Sequence, residues 1–189
     1  MTDPAVDTGR RTFVLVDGEN IDATLGQILG RRPAAEERPR WERVTDYLAQ
    51  WSDQPVTGLF FLDASNGHLP MSFVQALIAM GYRPVPLSGA DDEKVVDIGI
   101  QRTLAALRDH DADVVLVSHD ADFVPQVRDL LDGRRRVALA GFREFMSGHL
   151  TALGLPFLDL EHDVESFRTM LPRVRVIPLT EFQPEEFLR

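Results

Sequence analysis

The sequence contains no cysteine, which removes disulfide frameworks, thiolate zinc centres, iron–sulfur clusters and cysteine nucleophiles together. Its 20 basic residues include a single lysine, Lys94, the rest being arginine. Positive charge is itself in short supply: 30 acids outnumber them, for a formal net charge of −10. A protein that holds nucleic acid by bulk electrostatics leans the other way, because phosphate neutralisation drives that binding. A local arginine patch, or carboxylates gathered around a cation, is still compatible with such a balance. No apolar run approaches the roughly 20 residues of a membrane-spanning helix. The opening residues Met1 to Asp7 carry acids where a secretory signal needs bases, so the expected location is cytoplasmic, with no membrane partner. No G-x-G-x-x-G follows a strand, and no G-x-x-x-x-G-K-[ST] occurs, which argues against dinucleotide and P-loop sites. His68, His110, His119, His149 and His162 show no short metal-ligand spacing.

What remains is an ordinary globular chain of 189 residues, 44% hydrophobic and 26% charged, the size of one compact domain. Short continuous apolar runs at 13–16, 59–62, 114–117 and 137–140 read as strands buried on both faces. Shorter extended pieces are predicted at 83–87 and 156–158. Helical patterns fall between them at 41–51, 71–80, 93–108, 123–131 and 144–153, several closed by glycine. The alternation predicts an α/β fold, a three-layer α/β/α sandwich with a central, mainly parallel sheet. Residues 1–10 read as a flexible arm, 11–160 as the domain and 161–189 as an extension packed on or beside it. Residues 30–40 read as a mobile loop. Within the extension a helix is expected to Leu171, then an extended 174–177 and an amphipathic end at Phe182, Phe187 and Leu188.

In an open parallel sheet, ligands bind beyond the carboxyl ends of the strands. The residues there are acids: Asp17 after the first run, Asp63 after the second, Asp120 and Asp122 after the run ending at Val117. Each has a plain reading too, since aspartate favours turns and helix N-caps. Asp97 lies three residues before Ile100 and shares the sheet-facing side of its helix, where a carboxylate needs a cation or strong hydrogen bonds. Lys94 precedes it by one turn. Asn20 is either the cap of the next helix or a polar ligand, with the cap favoured by its position.

Val14-Leu15-Val16-Asp17-Gly18-Glu19-Asn20, Lys94-Val95-Val96-Asp97 and Ser118-His119-Asp120-Ala121-Asp122-Phe123 together resemble the NYN domain family, the LabA-like branch of the PIN-like ribonucleases. The resemblance spans about 11–160. It implies a carboxylate pocket for Mg²⁺ or Mn²⁺, held by Asp17, Asp97, Asp120 and Asp122, and metal-dependent hydrolysis of RNA. In that reading Lys94 neutralises the acids or contacts the scissile phosphate, and Asn20 and Ser118 orient water or phosphate. Arg134 and Arg135, with arginines of the 30–40 loop, grip the RNA backbone. The family usually has glycine where this chain has His119, whose ring is free to crowd the metal, point away or add a ligand. The alternative is a non-catalytic RNA-binding or regulatory module that keeps the fold, with protein partners on the acidic surface or the extension. A haloacid-dehalogenase-type phosphatase fits less well, because Glu19 stands where it needs a second aspartate. Oligomeric state is left open, a homodimer included.

Overall fold

The computed structural model describes residues 9–90, 92–174, 177 and 179–188. Most of the expected flexible arm, and residues 175 and 176 of the expected extended segment, lie outside the described residues. Six parallel strands form one sheet in the order β3-β2-β1-β4-β5-β6. They are β1 (Arg11–Asp17), β2 (Val56–Asp63), β3 (Arg83–Leu87), β4 (Ala112–Val117), β5 (Val137–Gly141) and β6 (Phe157–Asp159). The helices are α1 (Gly18–Leu29), α2 (Trp41–Ser52), α3 (Met71–Ala79), α4 (Val95–Leu107), α5 (Val124–Asp129) and α6 (Gly148–Thr151).

Alternation along the buried strands divides the core. On β1, Val14 and Val16 face α1 and α2 with Phe60, Trp41, Leu25 and Leu48, while Leu15 faces α4 and α5 with Phe61, Ile100 and Val127. Both faces are covered, which is why the strands read as unbroken apolar runs. The chain first builds outward from β1 to β3, then crosses through α4 to β4 on β1's other side. The order therefore reverses between β1 and β4, the place where open parallel sheets bind ligands, and Asp17 and Ser118 stand at the carboxyl ends of these two strands.

Three expectations need correction. The predicted helices at 123–131 and 144–153 are shorter, each preceded by a 3₁₀ turn, at Ala121–Phe123 and Arg143–Phe145. The helix expected from Glu161 to Leu171 is a run of turns. Asp159 accepts the amides of Glu161 and His162 at 3.0 and 3.1 Å, Glu161 accepts the Leu171 amide, and Ser166 binds back to the Leu160 carbonyl. These local bonds compete with the helical ladder and win. Residues 30–40 are not a bare loop: they carry a 3₁₀ turn, and Arg31, Arg38 and Arg40 pair with Glu37, Asp22 and Glu42.

Arg173 pins the extension to the sheet. Its buried guanidinium bonds Asp159 at 2.6 and 2.7 Å, Glu144 at 2.6 and 2.7 Å and Glu161 at 2.9 Å, and lies 5.0 Å from the centre of the Phe142 ring.

Candidate metal centre

Asp17 ends β1 and is itself the N-cap of α1: its Oδ1 accepts the Asn20 amide at 3.1 Å. The cap is thus Asp17, not Asn20. Its Oδ2 accepts from the Ser118 hydroxyl at 2.9 Å. Only 3% of Asp17 is exposed, and burial, reinforced by the fields of Asp97 and Glu19, pushes its carboxyl up to about 6.

Asp97, Asp120 and Asp122 come together, each with a carboxylate oxygen within 4.8 Å of the others'. Asp97 sits in the first turn of α4, and Asp120 caps the 3₁₀ turn after β4 by accepting the Asp122 amide at 2.9 Å. Burial, with Asp120 and Asp122 nearby, raises the Asp97 carboxyl, and Lys94 opposes that rise. The Lys94 ammonium stands 3.4 Å from both Asp97 and Asp122, and these carboxylates raise its pKa in turn. Asp17 is not part of this close triad, but it feels the charge of Asp97. Glu19, in the first turn of α1, adds a sixth carboxylate to this edge with Asp63: burial raises its pKa, and Asp63 and Asp97 push it further. Its place directly after Asp17-Gly18 is the sequence signal for it.

Ser118 is fully buried; its hydroxyl donates to Asp17 and accepts the Asp120 amide at 3.3 Å. It ties Asp17 to the Asp120 backbone from a buried position. His119 points away from the triad. Its Nε2 accepts the Phe142 amide at 2.8 Å, so the proton is on Nδ1, which donates to Asn20 Oδ1 at 2.7 Å. The ring lies parallel to Phe142, and Gly141 has no side chain because a Cβ there would stand 2.5 Å from Nε2. Burial pulls the His119 imidazole down to about 4.

Arg134 and Arg135 precede β5 and so lie at the opposite edge of the sheet. Arg135 is buried and donates to the carbonyls of Leu107 and Arg108 and to Asp132, closing the end of α4; Arg134 pairs with Asp132. Their position removes them from any substrate grip at the acids. A second acidic group, Asp159, Glu161 and His162, already has its cation in Arg173.

Three carboxylates converging on one point offer hard oxygen donors suited to Mg²⁺ or Mn²⁺ and poorly suited to soft metals. The model for the NYN domain matches residues 11–159, across all six strands. The chain belongs to the NYN domain family. Among solved structures, this NYN domain is similar to a protein of unknown function from Vibrio parahaemolyticus, with a TM-score of 0.63 and 20% identity over 86% of this chain and 98% of that one. That likeness concerns the fold. No curated protein matches the sequence. No helix among the described residues is long and apolar enough to cross a membrane.

Proposed function

We propose that the protein is a metal-dependent ribonuclease cutting single-stranded RNA at the triad. The observation that carries this reading is the convergence of Asp97, Asp120 and Asp122 at the β1/β4 switch point of an NYN domain. Membership of that family supports nuclease chemistry and metal binding in general. Asp97, Asp120 and Asp122 would hold Mg²⁺ or Mn²⁺, with Asp17 completing the acid set from beneath. When bound, such an ion lowers the pKa of a water and stabilises charge on the reacting phosphodiester. The chain's own residues do the rest. Ser118 and the Asn20 amide fix Asp17, which keeps Asp97 company at a defined depth. Asn20, with its carbonyl occupied by His119, is left to donate from its amide nitrogen to a phosphate oxygen or water. Lys94, whose side chain is 69% exposed, would be displaced from the carboxylates by a bound cation and would then be available to pair with the phosphate.

An RNA cleavage time course with Mn²⁺ or Mg²⁺, an EDTA control and Asp97→Asn tests this. Cutting only by the unmodified protein with metal is expected; equal cutting by Asp97→Asn overturns the site. A second reading, an RNA-binding module that does not cut, is favoured by the Lys94 ammonium already between Asp97 and Asp122. RNA bound but uncut in the presence of metal selects it.

A further inference from the structure

A cavity of about 260 Å³ opens between α4 and the ends of β2 and β3. Its floor is apolar, made by Phe61, Leu87, Val95 and Ile98. Its rim is polar, with Ser88, Glu93, Arg102 and Thr103. Gly99 completes the wall: any side chain there would collide with Leu87. Val95, Ile98, Gly99 and Arg102 recur at three- and four-residue steps, so one face of α4 lines the cavity. Lys94, Asp97 and Gln101 lie on the helix's other flank, where Gln101 donates to the Asp122 carbonyl at 3.1 Å. The cavity and the triad thus flank the same first turn of α4.

Arg102 is exposed and, among the described residues, makes neither hydrogen bond nor ion pair. Glu93 accepts the Ala90 amide on Oε2 at 3.2 Å and has its other oxygen unused. An apolar floor, two hydroxyls and, unpaired among the described residues, one carboxylate oxygen and one guanidinium match a nucleotide: a base on the floor, its exocyclic amine on Glu93, its phosphate on Arg102. A carboxylate accepts from the amines of adenine and cytosine and repels the carbonyl that uracil presents instead.

We propose that this cavity holds an amine-bearing base of a nucleotide flanking the cut site, and so biases where single-stranded RNA is cut. The proposal rests on the ribonuclease reading for its biological use, but its test does not depend on cleavage. AMP, CMP, UMP and ribose 5-phosphate are titrated, with EDTA present, into the full-length protein by calorimetry and amide NMR. AMP and CMP are expected to bind, with UMP and ribose 5-phosphate roughly fivefold weaker or worse, the loss of about one hydrogen bond. Arg102→Ala, on an exposed helix position, should weaken AMP by a similar factor, and Ile98→Trp should block it while the thermal transition is retained. Absence of AMP and CMP binding, UMP binding as tightly as AMP, or AMP binding unchanged in both variants overturns the proposal. Metal-dependent RNA cutting without mononucleotide binding overturns the cavity alone. AMP binding with no RNA cutting overturns the nuclease and leaves the cavity.

Discussion

His119 donates twice to the one side-chain oxygen of Asn20, from its backbone amide at 3.0 Å and from Nδ1 at 2.7 Å. A backbone amide only donates, so the Asn20 atom facing it is the oxygen, and the amide nitrogen faces the other way. The imidazole that stands at position 119 therefore fixes the orientation of the Asn20 amide.

If His119 acts through Asn20, the two residues are energetically coupled. His119→Gly should lower RNA cleavage mainly in kcat, and should have little further effect in an Asn20→Ala background. A double-mutant cycle reads this directly, with a coupling of about 0.5–3 kcal/mol expected for groups in one hydrogen-bond network. Strictly additive losses would mean that His119 merely supports the fold. Imidazole added to His119→Gly should restore part of the activity, because the vacated space lies between Asn20, Phe142 and Gly141.

Asp17 and His119 give stability opposite slopes with pH. A carboxyl raised from 3.8 to about 6 binds its proton more tightly folded than unfolded, so its contribution is full below pH 4 and is lost as pH rises through 6. An imidazole lowered from 6.5 to about 4 does the reverse: its contribution is present above 6.5 and is lost as pH falls toward 4. Each amounts to about 3 kcal/mol at 1.36 kcal/mol per unit. Asp17→Asn should therefore gain stability over the unmodified protein by about 3 kcal/mol between pH 4 and pH 7, measured by urea unfolding without metal. A difference that stays flat with pH would show that Asp17 is not strained by burial. Activity with metal should be lost in the same variant.

Much of this was legible in the sequence. Val14 to Asp17 and Val114 to Val117 read correctly as buried strands, because strands covered on both faces announce themselves as apolar runs. Asp97 was legible from its spacing to Ile100. The direction of a side chain after a strand end was not: Ser118 and His119 turn inward and Asp120 outward by local hydrogen bonds that no periodicity encodes. Arg134 and Arg135 misled because a basic run looks the same at either end of a strand; only the pairing of β5 with β4 places it away from the acids. The segment after Glu161 misled because Asp159 and Asp163 take backbone amides, and the Ser166 hydroxyl takes a backbone carbonyl, that a helix would need.

Lys94 competes with any cation at the triad. Its ammonium lies 3.4 Å from two of the three carboxylates, so Lys94→Met should raise Mn²⁺ affinity, measured by calorimetry at pH 7.5. Because the pair is exposed, the gain should be roughly two- to fivefold and should shrink in high salt. RNA cleavage should fall in the same variant, since the phosphate loses its lysine. Weaker Mn²⁺ binding in Lys94→Met would show that the lysine assembles the triad instead of occupying it.

Arg173→Met removes the cation shared by Glu144, Glu161 and the buried Asp159. Breaking a buried pair from one side leaves uncompensated charge and should cost about 3–5 kcal/mol in urea unfolding at pH 7. Arg173→Lys should fall between, because an ammonium cannot make the paired contacts to both Asp159 and Glu144. The guanidinium holds the Glu144 and Asp159 carboxyls below their usual range, so it stabilises the fold above the ordinary carboxylate pKa and ceases to do so as pH falls below it. The penalty of Arg173→Met should accordingly shrink toward pH 3, as Glu144 and Asp159 take up protons. Amide exchange should quicken at Leu171 and Ser166, whose hydrogen bonds the hub fastens, while β1 and β4 stay protected. A uniform loss of protection across the sheet would instead make Arg173 part of the global core, and the extension inseparable from the domain.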